Sequence, residues 1–183
     1  MSHFKLQIDD FTFKAACKNK AAAQKRIYET FSTAVYNLVF RITHNKSDAL
    51  DISQDVFIKV FTKIKQNKSQ ELLGFWIRKI AVNTTMSYLK KNAHLITNVD
   101  FKEKVIDKDM NETLSSLEFA LSKVPAVSRS VLWLYEVEGL SHQEIADLHG
   151  KTVSFSKTHL SRAKQVAQKF LTKKGGGYEA VKT

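Results

Sequence analysis

The stretch GLSHQEIADLHGKTVSFSKTHLSRAKQ, residues 139–165, is the part of this sequence that most restricts the fold. Ser141 followed three residues later by Glu144 forms a capping box, which predicts a helix that begins after Ser141. Gly150 supplies a turn, and apolar residues at helical spacing predict a second helix from Ser154. The sequence therefore predicts two helices joined by a glycine-containing turn.

The second predicted helix has two different faces. One face is apolar, and the opposite face is polar and basic. A helix, a tight turn and a helix with a basic outer face are typical of the DNA-binding helix-turn-helix motif. An ordinary pair of antiparallel helices with a solvated basic face has the same pattern, so both interpretations stay open at this point. The apolar set is Leu160, Ala163, Ala167 and Phe170 or Leu171, and the outer set is Lys157, Thr158, Ser161 and Arg162.

The composition extends this helical interpretation to the whole chain. Its 183 residues are 43% hydrophobic, which suffices to bury the core of one domain or of two small ones. The chain has a single proline, Pro125, and six glycines, three of which stand together at 175–177. A β-sandwich needs turn residues about every 8–12 residues, and P-loop or dinucleotide sites need glycines clustered after a strand. Neither pattern is present, and we expect an all-α protein.

Several functional classes are disfavoured. A single cysteine, Cys17, excludes an internal disulfide framework. The longest apolar run, 131–135, is far shorter than the ~18 residues of a membrane span, and the N-terminus lacks a signal-peptide pattern. The six histidines are scattered, with no nucleophile–base set and no metal motif. We therefore expect a cytoplasmic protein that is neither an enzyme nor an integral membrane protein and that holds no cofactor or metal.

The charge is basic and unevenly distributed. Residues 1–92 hold 16 basic and 7 acidic residues (+9), residues 93–113 hold 3 and 5 (−2), and residues 114–183 hold 10 and 6 (+4), which sums to the net charge of +11. A basic chain favours nucleic acid or an anionic membrane surface, although lysine-rich solvated helix faces give the same balance.

Apolar periodicity divides the chain into two helical modules and a joint. Two helices are predicted within 20–64, separated by HNKSD with Ser47 as the N-cap. A polar loop at 65–70 precedes a third helix at 75–91. Periodicity is lost in an acidic segment and resumes at Leu114. The predicted divisions are 15–92, a linker at 93–113, 114–172 with a helix that starts at Pro125, and a frayed tail at 173–183.

Three stretches together resemble the sigma-70 family of RNA polymerase sigma factors, in particular its compact extracytoplasmic-function (ECF) group. They are SDALDISQDVFIKVF (47–61), GFWIRKIAVNTTMSYLKKN (74–92) and VPAVSRSVLWLYEVEGLSHQEIADLHGKTVSFSKTHLSRAKQ (124–165). The resemblance covers roughly residues 15–172. It implies two small helical domains, a region 2 bundle and a region 4 helix-turn-helix, joined by a flexible linker.

The sequence departs from the family pattern at two places. Ser87 stands where the family usually has an acidic residue, and Ser154-Phe155-Ser156 replaces Gly-Thr-Val before the recognition helix. We expect Phe155 to pack inward in place of the apolar residue that Ser156 replaces, rather than to touch a thymine methyl group.

The resemblance also implies the function and the site residues. A sigma factor directs core polymerase to specific promoters and aids promoter opening, and it makes no covalent bonds itself. Its partners are promoter DNA, the clamp helices of the largest polymerase subunit and the flap of the second-largest subunit, and an anti-sigma factor is a further candidate. The implied core-binding residues are Asp48, Asp51, Gln54 and Asp55; those for the −10 element are Lys65, Lys68, Lys79, Asn83, Lys90 and Lys91; those for the −35 element are Arg129, Lys157, Thr158, His159 and Arg162.

Within these sets the roles differ. The spacing i, i+3, i+7 places the three aspartates on one helical face. We expect Arg162 to bind a guanine, Lys157 and Arg129 to contact the DNA backbone, and Asn83 to contact a flipped base beside the loop 65–70. Trp76 is expected in the core. The alternative is a helix-turn-helix regulator that works without polymerase, which the acidic face disfavours.

Overall fold

The protein folds as an assembly of helices. The structure, a computed structural model, describes residues 3–67, 69–96 and 116–174. In these ranges there is no β-strand, and the predicted all-α class is confirmed. The α-helices of these ranges are α1 (Asp10–Cys17), α2 (Ala21–Thr43), α3 (Lys46–Lys63), α4 (Leu73–Ile96), α5 (Ser116–Ser122), α6 (Ala126–Glu136), α7 (His142–His149) and α8 (Val153–Lys174), with short 3₁₀ turns at His3–Lys5, Ile64–Gln66 and Gln70–Leu72.

Helices α2, α3 and α4 pack against one another and form the first module. The stripe predicted on α2 faces the centre of this bundle, where Ile27, Phe31 and Ile42 are fully buried. Ile52 and Val60 meet it from α3. Each such side chain contributes about 1.5–3 kcal/mol relative to its exposed state. Apolar burial is therefore the main source of stability in this module.

The first module begins before the predicted boundary at residue 15. Phe4 and Ile8 are each 5% exposed and belong to the same apolar cluster as α2. Gly74, at the start of α4, permits this contact, since a Cβ atom there would lie 2.0 Å from the Phe4 carbonyl oxygen. The N-terminal segment is too short to show a periodicity of its own, and for that reason the sequence did not reveal its packing.

The N-cap of α3 is Asn45 and not Ser47. The Asn45 side chain accepts a hydrogen bond from the Asp48 backbone N–H at 3.0 Å. His44 before it has a left-handed φ of 52° and ends α2. The prediction was wrong because asparagine and serine are comparable caps, and both occur in HNKSD. Ser47 lies instead, exposed, in the first turn of the helix.

The ends of the predicted linker and tail are helical. Helix α4 continues past Lys91 to Ile96, and α8 continues to Lys174. Residues 97–115 and 175–183 lie outside the described ranges. The flexibility of the linker and the fraying of the tail therefore stay predictions.

The second module is arranged around α8, which packs against α5, α6 and α7. Pro125 is the N-cap of α6, so a new helix does start at the predicted proline. Small side chains allow close packing here, because Ala146 and Ala163 are fully buried between helices. Leu134 and Ile145 are also fully buried.

The two modules pack against each other, which the sequence did not predict. Helix α2 contacts α6, and α4 contacts α7. One apolar cluster runs from α2 to Leu134 and Ile145 without interruption. An ion pair between Arg78 and Glu138 spans the boundary at 3.4 Å, with side chains only 10% and 5% exposed. The chain therefore folds as one body in which the two modules share a core.

Candidate nucleic-acid interfaces and an acidic helix face

The predicted helix-turn-helix is formed by α7, a turn and α8. The capping box is confirmed: the Ser141 backbone N–H donates to Glu144 Oε2 at 2.8 Å, and the Glu144 N–H donates to Ser141 Oγ at 3.3 Å. Hydrogen bonds from Ser141 lower the pKa of Glu144. Gly150 closes α7 with a left-handed φ of 60°, a conformation that glycine adopts at low cost.

The outer face of α8 carries exposed polar and basic side chains, as predicted. Lys157, Thr158, Ser161 and Arg162 are all exposed. In the described part of the chain neither Lys157 nor Arg162 forms an ion pair. Both cations are therefore available to an external anion. Five residues separate them, so they lie at the two edges of the outer face, about 140° apart around the helix.

His159 does not belong to this outer face. Its side chain is half-buried, and its Nδ1 atom lies 2.9 Å from the buried Ser128 hydroxyl of α6. Burial and the neighbouring Arg162 lower the pKa of His159. The expected contact of His159 with the −35 element must be corrected, since the side chain is directed inward and held by α6.

Arg129 likewise does not lie on a DNA-facing surface in this arrangement. It is 7% exposed, and its Nε and Nη2 donate to the Ile42 carbonyl of the other module, the Nε bond measuring 3.0 Å. Its Nη1 donates to the Leu121 carbonyl at 3.2 Å. Burial lowers the pKa of Arg129 to about 10. The expected contact with the DNA backbone is replaced by a bridge between the two modules.

Two of the residues that depart from the family pattern, Phe155 and Ser156, are packed against other helices. Phe155 is half-buried, and its ring centroid lies 5.4 Å from that of His149 and 4.3 Å from that of His159. Ser156 is fully buried, and its hydroxyl lies 3.0 Å from His142 Nδ1. Phe155 thus packs inward, as expected, while the hydroxyl that replaces an apolar side chain has a polar partner.

A second basic face lies on α4. Lys79, Asn83 and Lys90 are exposed and are spaced by four and seven residues, so they share one side of the helix. Lys91 is exposed beside them. Trp76 is half-buried and packs against the apolar cluster, in keeping with its expected core position.

The segment before α4 forms compact turns rather than an extended loop. Lys65 is exposed on the 3₁₀ turn Ile64–Gln66. Asn67 Nδ2 donates to the Ser69 carbonyl at 2.6 Å. Lys68 lies outside the described residues.

The acidic face of α3 is exposed except at its beginning. Asp51, Gln54 and Asp55 are exposed, whereas Asp48 is half-buried and accepts a hydrogen bond from the Tyr88 hydroxyl at 2.9 Å. This bond raises the pKa of Tyr88. Asp48 therefore also connects α3 to α4.

Sequence reasoning missed apolar surface next to these acids. Leu50 and Ile58 are 55% and 64% exposed on α3. Leu50 also lines an open groove of about 270 Å³ between α2 and α3, together with Tyr28 and Phe57. The sequence does contain a signal for this exposed apolar surface, because α3 has more apolar residues than one buried stripe requires.

Two other kinds of site are absent from the described ranges. No helix there combines the length and apolar character needed to cross a bilayer. No group of three or more histidine, cysteine, aspartate or glutamate side chains in those ranges is arranged to hold a metal ion.

The fold and these surfaces define a helical protein of the helix-turn-helix class. Comparison with protein-family models is more specific: residues 27–94 match Sigma-70 region 2, and residues 114–165 match Sigma-70, region 4. The chain belongs to the sigma-70 family and, within it, to the ECF RNA polymerase sigma factors.

Individual relatives agree with this assignment. The chain is 29% identical over 142 residues to RNA polymerase sigma factor SigV of Bacillus subtilis, covering 75% of this chain and 84% of SigV. It is 26% identical over 149 residues to ECF RNA polymerase sigma factor SigE of Mycolicibacterium smegmatis, covering 76% and 58%. Its fold is similar to that of sigma factor RpoE in complex with the anti-sigma factor NepR from Bartonella quintana, with a TM-score of 0.63, 20% identity and coverage of 81% and 96%.

Proposed function

We propose that the protein directs core RNA polymerase to specific promoters through two separate DNA-binding faces and aids the opening of the duplex. The observation that carries this proposal is that one chain has exposed basic faces on α8 and α4 together with an acidic face on α3. A regulator that acts without polymerase needs only the basic face on α8. The acidic face gives the chain a surface for a protein partner as well.

In region 4, α8 would enter the major groove at the −35 element. The exposure of Lys157, Thr158 and Arg162 on one face supports this role. The Arg162 guanidinium has the geometry to donate to guanine O6 and N7 together, whereas Lys157 is better suited to a phosphate. His159 is left out of this set because Ser128 of the same module holds it inward. Arg129 would contact the DNA backbone only after its hydrogen bonds to the Ile42 carbonyl are broken.

In region 2, α4 would hold the separated strand at the −10 element. The amide of Asn83 can donate and accept hydrogen bonds at the same time, as reading of a flipped base requires. Lys79, Lys90 and Lys91 would follow the phosphate backbone. The turns around Lys65 adjoin this helix and would form one wall of the base pocket.

Polymerase would be bound mainly through α3. Asp51, Gln54 and Asp55 offer charge, and the exposed Leu50 and Ile58 offer apolar area beside it. Interfaces of this kind combine an apolar centre with a polar rim. We assign the clamp helices of the largest subunit to this face and the flap of the second-largest subunit to region 4. An anti-sigma factor is a further candidate partner, in keeping with the RpoE–NepR complex.

The shared core implies that the two modules must separate on the enzyme. A compact body of this size has a radius of gyration of about 15 Å, and hence a diameter of about 40 Å. Promoter elements two helical turns apart are about 70 Å from each other. The compact protein cannot contact both at once, so binding must break the contacts of Arg129 and Arg78 across the boundary.

Reconstituted transcription tests the proposal. The full chain is added to core polymerase, and run-off products are sequenced from a library randomised at both promoter elements. We expect initiation to depend on the chain and to select two elements at a fixed spacing. Tight, sequence-specific DNA binding by the chain without polymerase, combined with no initiation, would contradict it and favour a regulator that works alone.

A further inference from the structure

The second module buries three serine hydroxyls, each in contact with a histidine. Ser128, Ser130 and Ser156 are all 0% exposed. A buried hydroxyl without a partner costs free energy, and a buried imidazole nitrogen can satisfy it. These imidazole–hydroxyl pairs connect α6, α7 and α8 to one another: His159–Ser128, His149–Ser130 and His142–Ser156.

The first pair holds the recognition helix directly. His159 is on α8, between Thr158 and the base-facing Arg162 one turn later, and its Nδ1 lies 2.9 Å from Ser128 Oγ on α6. Because α6 is the helix that packs most extensively on α8, this bond fixes how α8 is rotated about its axis. A rotation would carry Lys157 and Arg162 away from their positions together.

The second pair fixes the beginning of α8. His142 is the first residue of α7, its ring stacks on Tyr135 at 4.6 Å, and its Nδ1 lies 3.0 Å from Ser156 Oγ. Ser156 takes the place where the family pattern has an apolar residue. A directional hydrogen bond has thus replaced a non-directional apolar contact at the point where α8 would enter the groove.

The third pair supports Phe155 from the other side. His149 Nε2 lies 3.4 Å from Ser130 Oγ, and its ring packs against Phe155. The Ser130 hydroxyl already donates to the Val127 carbonyl at 2.7 Å. It must therefore accept from His149, which places the proton of His149 on Nε2.

We propose that these three pairs set the −35 specificity of the protein by holding α8 at the tilt and rotation at which Thr158 and Arg162 meet the bases and Lys157 meets a phosphate. The three histidines are positioning residues that do not touch DNA. This inference rests on the proposed function. It adds to it a second source of −35 specificity, on the side of α8 that faces the rest of the protein. A guanidinium that donates two hydrogen bonds to one base tolerates only small displacements. The pairs that hold α8 in place therefore matter for specificity.

The test uses amide side chains of two lengths. The asparagine amide is two bonds from Cβ, as imidazole Nδ1 is, whereas the glutamine amide is three bonds away, as Nε2 is. Asparagine should therefore replace His159 and His142, and glutamine should fail there. At His149 the order should be reversed. Six full-length variants, His→Asn and His→Gln at each position, form three matched pairs.

Each variant is assayed with core polymerase on a promoter library randomised at the −35 element. We expect H159N, H142N and H149Q to keep the wild-type preference. Their partners H159Q, H142Q and H149N should lower the preference for the best base by about tenfold, the discrimination that one base contact provides. A purely structural role would lower the melting temperature of a variant and leave its base preference unchanged, which would overturn the proposal.

Ser128→Ala provides a variant that cannot act through DNA contact. Ser128 is fully buried, so a changed −35 preference in this variant supports positioning through His159. An unchanged preference in Ser128→Ala, or equal behaviour of H159N and H159Q, would contradict it. Absence of promoter selection with the wild-type protein would instead contradict the proposed function. The failure of this inference can therefore be distinguished from the failure of the proposed function.

Discussion

The two modules of this protein are held together by different chemistry. The first, α1–α4, buries large apolar side chains such as Phe31 and Leu38. The second, α5–α8, places buried Ser128, Ser130 and Ser156 against histidines at its helix contacts. Apolar burial is non-directional, whereas hydrogen bonds fix orientation. The second module therefore adds hydrogen bonds that fix the orientation of its helices to the apolar burial that both modules share.

The largest effect should come from the apolar core of the first module. Phe31→Ala removes a fully buried ring from the centre of α2 and should lower the free energy of unfolding by about 3–5 kcal/mol. Urea titration followed by circular dichroism measures it. Phe11→Ala is the matched control, because Phe11 is 83% exposed, and it should change stability by less than about 0.5 kcal/mol. Similar losses in both variants would contradict apolar burial as the main source of stability in the first module.

The bridge between the modules should have the next largest effect. Arg129→Met removes the donors of the Ile42 and Leu121 carbonyls and should cost about 3 kcal/mol, since hydrogen bonds from charged groups contribute about 1.5–3 kcal/mol each. Unfolding should then occur in two steps, and small-angle scattering should show a larger radius of gyration. Arg162→Met, at an exposed arginine, is the control. A single transition at the wild-type midpoint would mean that Arg129 does not join the modules.

Acidification should weaken both modules through buried histidines. Burial lowers the pKa of His44 to about 4; Arg129 and Arg41 add to this shift, and Glu118 opposes it. Burial, and to a smaller extent the neighbouring His159, lower the pKa of His149 to about 4. An unfolded histidine has a pKa of about 6.5, so between pH 6.5 and 4 the unfolded chain binds more protons and stability falls as the pH falls. The loss by pH 5 should reach at most about 2 kcal/mol per histidine.

Urea titrations at pH 7 and pH 5 measure this loss. His44→Gln should abolish the part of this loss that arises in the first module. His149→Gln should abolish the part that arises in the second. Equal stability of the wild-type protein at the two pH values would show that neither histidine is held neutral by its surroundings.

The sequence predicted the parts of the fold that depend on periodicity. The apolar stripe of α2, the capping box at Ser141 and the outward direction of Lys157 and Arg162 follow from spacing along one helix. These features are local, so the packing of distant segments does not change them. For the same reason the exposed basic face of α8 could be predicted from the sequence alone.

The sequence did not predict the direction of long polar side chains at helix contacts. Arg129 and His159 were both expected on the DNA-facing surface, and both are directed inward. Whether such a side chain reaches solvent depends on which helix packs beside it. The contacts of α6 with α2 and α8 join residues 31 to 87 positions apart. No pattern along a single helix contains that information.

Charge on the surface of the first module provides a further contrast, because one face of α3 is acidic in an otherwise basic region. The double variant Asp51→Lys/Asp55→Lys should weaken core polymerase binding by about 1 kcal/mol for each reversed charge, and so by about thirtyfold in total. Competition between sigma factors for core enzyme measures it. Asp10→Lys/Glu29→Lys makes the same change in net charge on α1 and α2 and should have little effect. Equal weakening by both double variants would show that only the net charge matters.

The smallest effect separates two cations of the same helix. Lys157→Ala should weaken binding to all −35 sequences alike, by about 1 kcal/mol or less, and should reduce the slope of log K against log salt by about 0.9, the value for one phosphate contact. Arg162→Ala should instead relax the preference at one base position and cost about 1–3 kcal/mol only on the preferred sequence. Binding of holoenzyme to promoter fragments at several salt concentrations measures both quantities. If both variants changed the salt slope equally and neither changed base preference, the exposed face of α8 would bind the DNA backbone alone, and the second module would lose the specificity for which its histidine supports are proposed.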